Sequence, residues 1–138
     1  MIDQLAADLL AKLQAIPVLA SSCGLDLVGD LPDPGGAKIP LPSAWVIPRK
    51  FINTRDGAEK EPLPAAPIIG RFAFVVGLYL STSNQIATQL PLLQQVAKAI
   101  QGTTSPSGQR WYLSEFDRAA TNPGVMIYAL TFITNAAF

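Results

Sequence analysis

The chain of 138 residues contains no histidine and a single cysteine, Cys23. The first absence removes imidazole general bases, Cys-His dyads and His-ligated metals, and the second removes every intrachain disulfide. A domain stapled by its own disulfides is therefore excluded, whereas one cysteine alone does not identify the redox compartment. Charge is scarce too. Asp, Glu, Lys and Arg make up 14% of the residues while 49% are hydrophobic, against about 25% charged in an ordinary domain. That balance excludes disorder as the default state and points to a packed core. Ten bases offset ten acids, so no bulk positive field draws the chain to a phosphate backbone, and nucleic-acid binding is not expected. Long apolar runs are missing as well. The longest, Phe72 to Leu80 with Gly77 inside it and Arg71 at one end, falls well short of the about 18 to 20 residues that span a bilayer. No membrane span is expected. The start Met1-Ile2-Asp3 carries an acid where a signal peptide carries Lys or Arg, so the chain reads as unexported.

What remains is a pattern of elements over one domain, residues 1–138. Ile2, Leu5, Leu9, Leu13 and Ile16 recur at steps of three and four, which predicts an amphipathic helix over 2–16 stopped by Pro17. Asp3 and Asp8 near its start and Lys12 near its end suit the helix dipole. A weak strand is expected over 25–29, then a Pro/Gly loop over 30–42, then a strand over 44–47 closed by Pro48. Residues 49–67 hold seven of the twenty charges and three prolines. Such an excursion is functional or mobile, and the step Arg55-Asp56-Gly57 within it could turn a long hairpin. Phe72, Phe74, Val76, Leu78 and Leu80 alternate with lighter residues and predict the central strand. A second helix follows, with Leu90, Leu93, Val96, Ala97 and Ile100 facing inward and Gly102 as its C′ residue. Two further strands are expected over 110–116 and 125–134, joined by a turn at Asn122-Pro123-Gly124. The fold class is thus α+β: two helices packed on a mainly antiparallel β-sheet with a long hairpin excursion.

Candidate chemistry is thin. Pro34-Gly35-Gly36-Ala37-Lys38 lacks the spacing of a phosphate loop and reads as a turn. Glu115 and Asp117, two apart on a predicted strand, could serve as an acid/base or metal-binding pair. With Arg118 adjacent and no histidine, solvated strand-end charges are the better reading. The serines show no G-x-S-x-G elbow, no basic residue adjoins Cys23 in sequence to activate its thiol, and Trp45 and Trp111 read as core anchors rather than ligand-stacking rings. Neither an enzymatic activity nor a cofactor is expected. The segment 49–61 mixes four bases (Arg49, Lys50, Arg55, Lys60) with three acids (Asp56, Glu59, Glu61), as the polar rim of a protein contact does. A solvated loop explains it equally well. The strand 125–134 is apolar on both faces, so one face needs a cover besides the chain's own helices.

The order of these elements, with the strands Pro-Ser-Ala-Trp-Val-Ile-Pro at 42–48 and Phe-Val-Val-Gly-Leu-Tyr-Leu at 74–80, resembles the tail terminator proteins of tailed bacteriophages, the group of the lambda-like minor tail protein U. The resemblance covers nearly the whole chain and rests on element order and size, since that family has no diagnostic motif. It implies a single domain with two helices against a sheet, assembled as a homo-oligomeric ring, usually a hexamer. Such a ring caps the tail tube, ends its polymerisation and offers a surface for head joining. The implied partners are other copies of the chain, the tail tube protein and a head-completion or neck protein. The implied location is the head-proximal end of the virion tail, with assembly in the host cytoplasm. By analogy, Arg49, Lys50, Arg55, Asp56, Glu59, Lys60 and Glu61 form a tube-facing or subunit-contact loop. Val125, Ile127, Ala129, Thr131 and Ile133 then form the subunit interface. The departures are the Pro-rich stretches at 32–42 and 62–67. A head-completion connector is the neighbouring alternative. A small ligand-binding or enzymatic domain using Trp45, Trp111, Glu115 and Asp117 is the alternative of another class.

Overall fold

A computed structural model describes residues 2–25, 41–53, 69–81, 90–122 and 124–137. Helix α1, Ile2–Gln14, buries Leu5, Ala6, Leu9 and Leu13, the stripe that the spacing predicts. It ends two residues earlier than expected. Ile16 precedes Pro17, whose ring disfavours helical backbone in the residue before it, and Ile16 is extended at φ −85°, ψ 116°. Pro17–Leu19 then forms one turn of 3-10 helix that buries Leu19.

Five strands form one sheet: β1, Cys23–Leu25; β2, Ser43–Asn53; β3, Ile69–Ser81; β4, Tyr112–Asn122; and β5, Val125–Ala137. Their spatial order is β1-β2-β3-β5-β4. β1 lies parallel to β2 and every other pair is antiparallel, so the mainly antiparallel α+β architecture holds. The hairpin arms expected either side of the charged excursion are β2 and β3. The excursion's turn at Arg55-Asp56-Gly57, the Pro/Gly segment 32–40 and the prolines at 62–67 lie outside the described residues.

Three sequence expectations shift. The weak strand expected over 25–29 is described as Cys23–Leu25, where Gly24 pairs with Trp45, and residues 26–29 lie outside the described residues. A Cβ on Gly24 would lie 3.0 Å from that indole, so the glycine makes room for the ring. β2 does not stop at Pro48 but runs through it, with a register shift between Pro48 and Lys50. A proline is tolerated there because Pro48 borders a bulge, where the ladder is interrupted and a missing donor costs little. The second helix, α2, Pro91–Ile100, turns Leu92, Val96 and Ile100 inward. Leu93 and Ala97 are half-buried and Leu90 is exposed, so the helix is rotated relative to the predicted face. Gly102 beyond it has φ +78°, as its role past the helix end requires.

β3 is central as predicted. Phe72, Phe74, Val76, Leu78 and Leu80 join α1, α2, Leu130 and Phe132 in one hydrophobic core. Trp111, just before β4, is fully buried there and meets Phe74 edge-on, with ring centroids 5.8 Å apart and planes at 79°. Its indole N–H donates to Asp8 Oδ2 at 2.9 Å. The same carboxylate oxygen takes Lys12 Nζ one helical turn on. A buried donor thus ties α1 to the 102–111 loop, which is held in turn by Trp111 N–H on the Thr103 carbonyl and by the buried Thr134 hydroxyl on the Arg110 carbonyl.

Asp8→Ala leaves the Trp111 N–H buried without an acceptor and lowers unfolding stability by about 1–3 kcal/mol. Lys12→Ala removes only a partly exposed ion pair and costs less than about 1 kcal/mol. Urea denaturation of both variants checks the order.

Candidate functional site

Of the charged excursion, the structure describes Arg49 and Lys50, exposed at the bulge of β2. Arg55, Asp56, Glu59, Lys60 and Glu61 lie outside the described residues. The β5 face expected at a subunit contact is largely closed within one copy. Ile127 is 2% exposed and Thr131 7%, while Val125, Ala129 and Ile133 are half-buried. The reason lies in the sheet as a whole. On the side away from the helices, Ile47, Ala73, Val75 and Tyr79 are buried as well, so the middle of this face is withdrawn from water. Ile127 and Thr131 therefore have almost no area to give a neighbour, and association energy follows area removed from water.

The open surface lies at the sheet edges. Every residue from Ser114 to Ala119 in β4 is exposed. Glu115 and Asp117 stand opposite Thr131 and Ala129, on the side away from the helices, and Phe116 stands opposite Leu130 on the helix side. Phe116 remains 60% exposed and Tyr112, at the start of the strand, 54%. Between α2 and β4 runs a cavity of about 540 Å³ walled by Leu90, Leu93, Ala97, Leu113 and Phe116. Register shifts between Leu113 and Glu115 and between Arg118 and Ala120 bracket the run Glu115 to Arg118. Bulges and charges of this kind are how edge strands restrict indiscriminate pairing. A smaller cleft of about 370 Å³ lies at the start of β4, beside Arg71, Tyr112 and Asn135.

Sequence reasoning named Glu115 and Asp117 but not the exposed Phe116 between them. The available signal was the Glu-Phe-Asp-Arg run itself, the most polar stretch of any strand in this chain, which marks an edge. Of the two tryptophans, Trp111 is fully buried and Trp45 half-buried. Trp45 Nε1 and the buried Ser43 hydroxyl have no hydrogen-bond partner among the described residues. Among the described residues no group of three or more His, Cys, Asp or Glu side chains is gathered together, and no helix is long and apolar enough to cross a membrane.

A scan against protein-family models gives no match, and neither does a search of curated proteins.

Cys23 packs partly buried against the core, and loss of solvation there raises its thiol pKa above the ordinary value. A raised pKa means less thiolate at any given pH. Iodoacetamide at pH 8 therefore alkylates Cys23 in the folded chain more slowly than in the urea-unfolded chain, read by intact-protein mass spectrometry.

Proposed function

We propose that this chain is a structural subunit of a phage tail, a terminator that closes into a ring on the end of the tail tube. The observation that carries the reading is architectural. The element order is realised as two helices against a mainly antiparallel sheet, the arrangement that the resemblance to tail terminators implies. The buried middle of the sheet and the exposed β4 edge support it further, since they favour lateral contact between copies.

Termination by such a ring is geometric. Heterologous contacts repeat around an axis until the rotation closes, and a closed ring leaves no lateral edge for further subunits. One ring surface matches the tube end, while the opposite surface presents no tube-like face and so receives no further tube subunit. The partners under this reading are other copies of the chain, the tail tube protein and a head-completion protein, and its place is the head-proximal end of the tail.

Adding the purified chain to polymerising tube subunits of the same phage shortens the tubes and leaves rings at one end of each, seen by negative-stain electron microscopy. Tubes of unchanged length with bare ends contradict the proposal. Deleting the gene separates terminator from connector: overlong tails indicate lost termination, and normal tails beside unjoined heads indicate the neck.

A further inference from the structure

The two edges of the sheet differ in a way that fits each to the other. The β4 edge carries two exposed acids, Glu115 and Asp117, one base, Arg118, and the exposed ring of Phe116. At the opposite side, among the described residues, β1 pairs with β2 only as far as Val46. Further along, β2 presents two exposed bases, Arg49 and Lys50. The charge is thus acidic in excess on one side and basic on the other.

Strand polarity agrees with this. Because β2, β3, β5 and β4 each run antiparallel to the next, β4 runs antiparallel to β2. A second copy placed beside the first in the same orientation brings its β2 antiparallel to the first copy's β4. Two β4 edges facing each other about Phe116 would instead set Glu115 against Asp117 twice, and like charges directly opposite are destabilising. The charge pattern therefore favours head-to-tail contact over a two-fold pair.

We propose that copies of this chain join edge to edge, Glu115 and Asp117 of β4 in one copy docking on Arg49 and Lys50 of β2 in the next. This deepens the ring reading and rests on it. The occupant of the β4 edge is a second copy, because the matching charge is present on the chain itself: Lys50 stands opposite Ala73, and Glu115 and Asp117 opposite Thr131 and Ala129, all on the side of the sheet away from the helices. Mixed charges of this kind set register and exclude wrong partners.

Two charge-reversed variants test the contact. Variant one carries E115K and D117K; variant two carries R49E and K50E. Each alone needs about tenfold or more higher concentration than the wild type to assemble, read by sedimentation velocity and native mass spectrometry. An equimolar mixture reassembles, because every junction in an alternating ring then pairs opposite charges. A chain carrying E115C and K50C, which share one face of the sheet, with Cys23→Ser, forms a ladder of disulfide-linked oligomers on oxidation. Variants that assemble like the wild type, or a mixture that stays dissociated while both chains show native circular dichroism, overturn the edge contact, as does the absence of a ladder. A wild-type ring indifferent to both reversals removes this contact and leaves the terminator reading standing. Charge-dependent rings that leave tube length unchanged remove the terminator reading alone.

Discussion

Strand β3 carries apolar side chains on both faces and sits in the middle of the sheet, so neither face can be left to water. On one side Phe72, Phe74, Val76, Leu78 and Leu80 meet the two helices; on the other Ala73, Val75 and Tyr79 are buried as well. Each large apolar side chain so buried contributes about 1.5–3 kcal/mol, which outweighs local defects such as the Ser43 hydroxyl and Trp45 indole, which have no hydrogen-bond partner among the described residues. The rest follows from this demand. The helices pack over one face of the sheet, and the exposed charges of its described strands lie at its margins.

The helices and the central strand were legible because their signals are periodic: Leu5, Leu9 and Leu13 can share a face only in a helix, and Phe72 to Leu80 can alternate only in a strand. Where the reading slipped, a tertiary or neighbouring feature outweighed the local one. Pro48 looks like a terminator of β2, yet the adjoining bulge makes its missing N–H harmless. Ile16 fits the helical stripe of α1 and is buried, but Pro17 takes it out of the helix. Leu90 and Leu92 compete for the inner face of α2, and periodicity alone does not choose between them.

The surface was less legible than the core. Two apolar faces on β5 announced that something must cover both, but sequence does not say whether the cover belongs to the same copy. Burial of Ile127 and Thr131 places much of it there, which moves the weight of any subunit contact from that face to the edges. Arg49 and Lys50, with Glu115 and Asp117, enter the proposed contact between copies. An edge strand with bulges and charges resists random pairing while admitting a partner of matching pattern. The lateral contacts of a ring need that combination, since there a subunit must join its own kind and no unrelated edge.

Hydrogen–deuterium exchange of the assembled against the dissociated chain tests this most directly. Amides of residues 114–119 gain protection on assembly, while those of 125–133, already covered in one copy, change little. Protection gained across 125–133 with 114–119 unaltered would contradict the account.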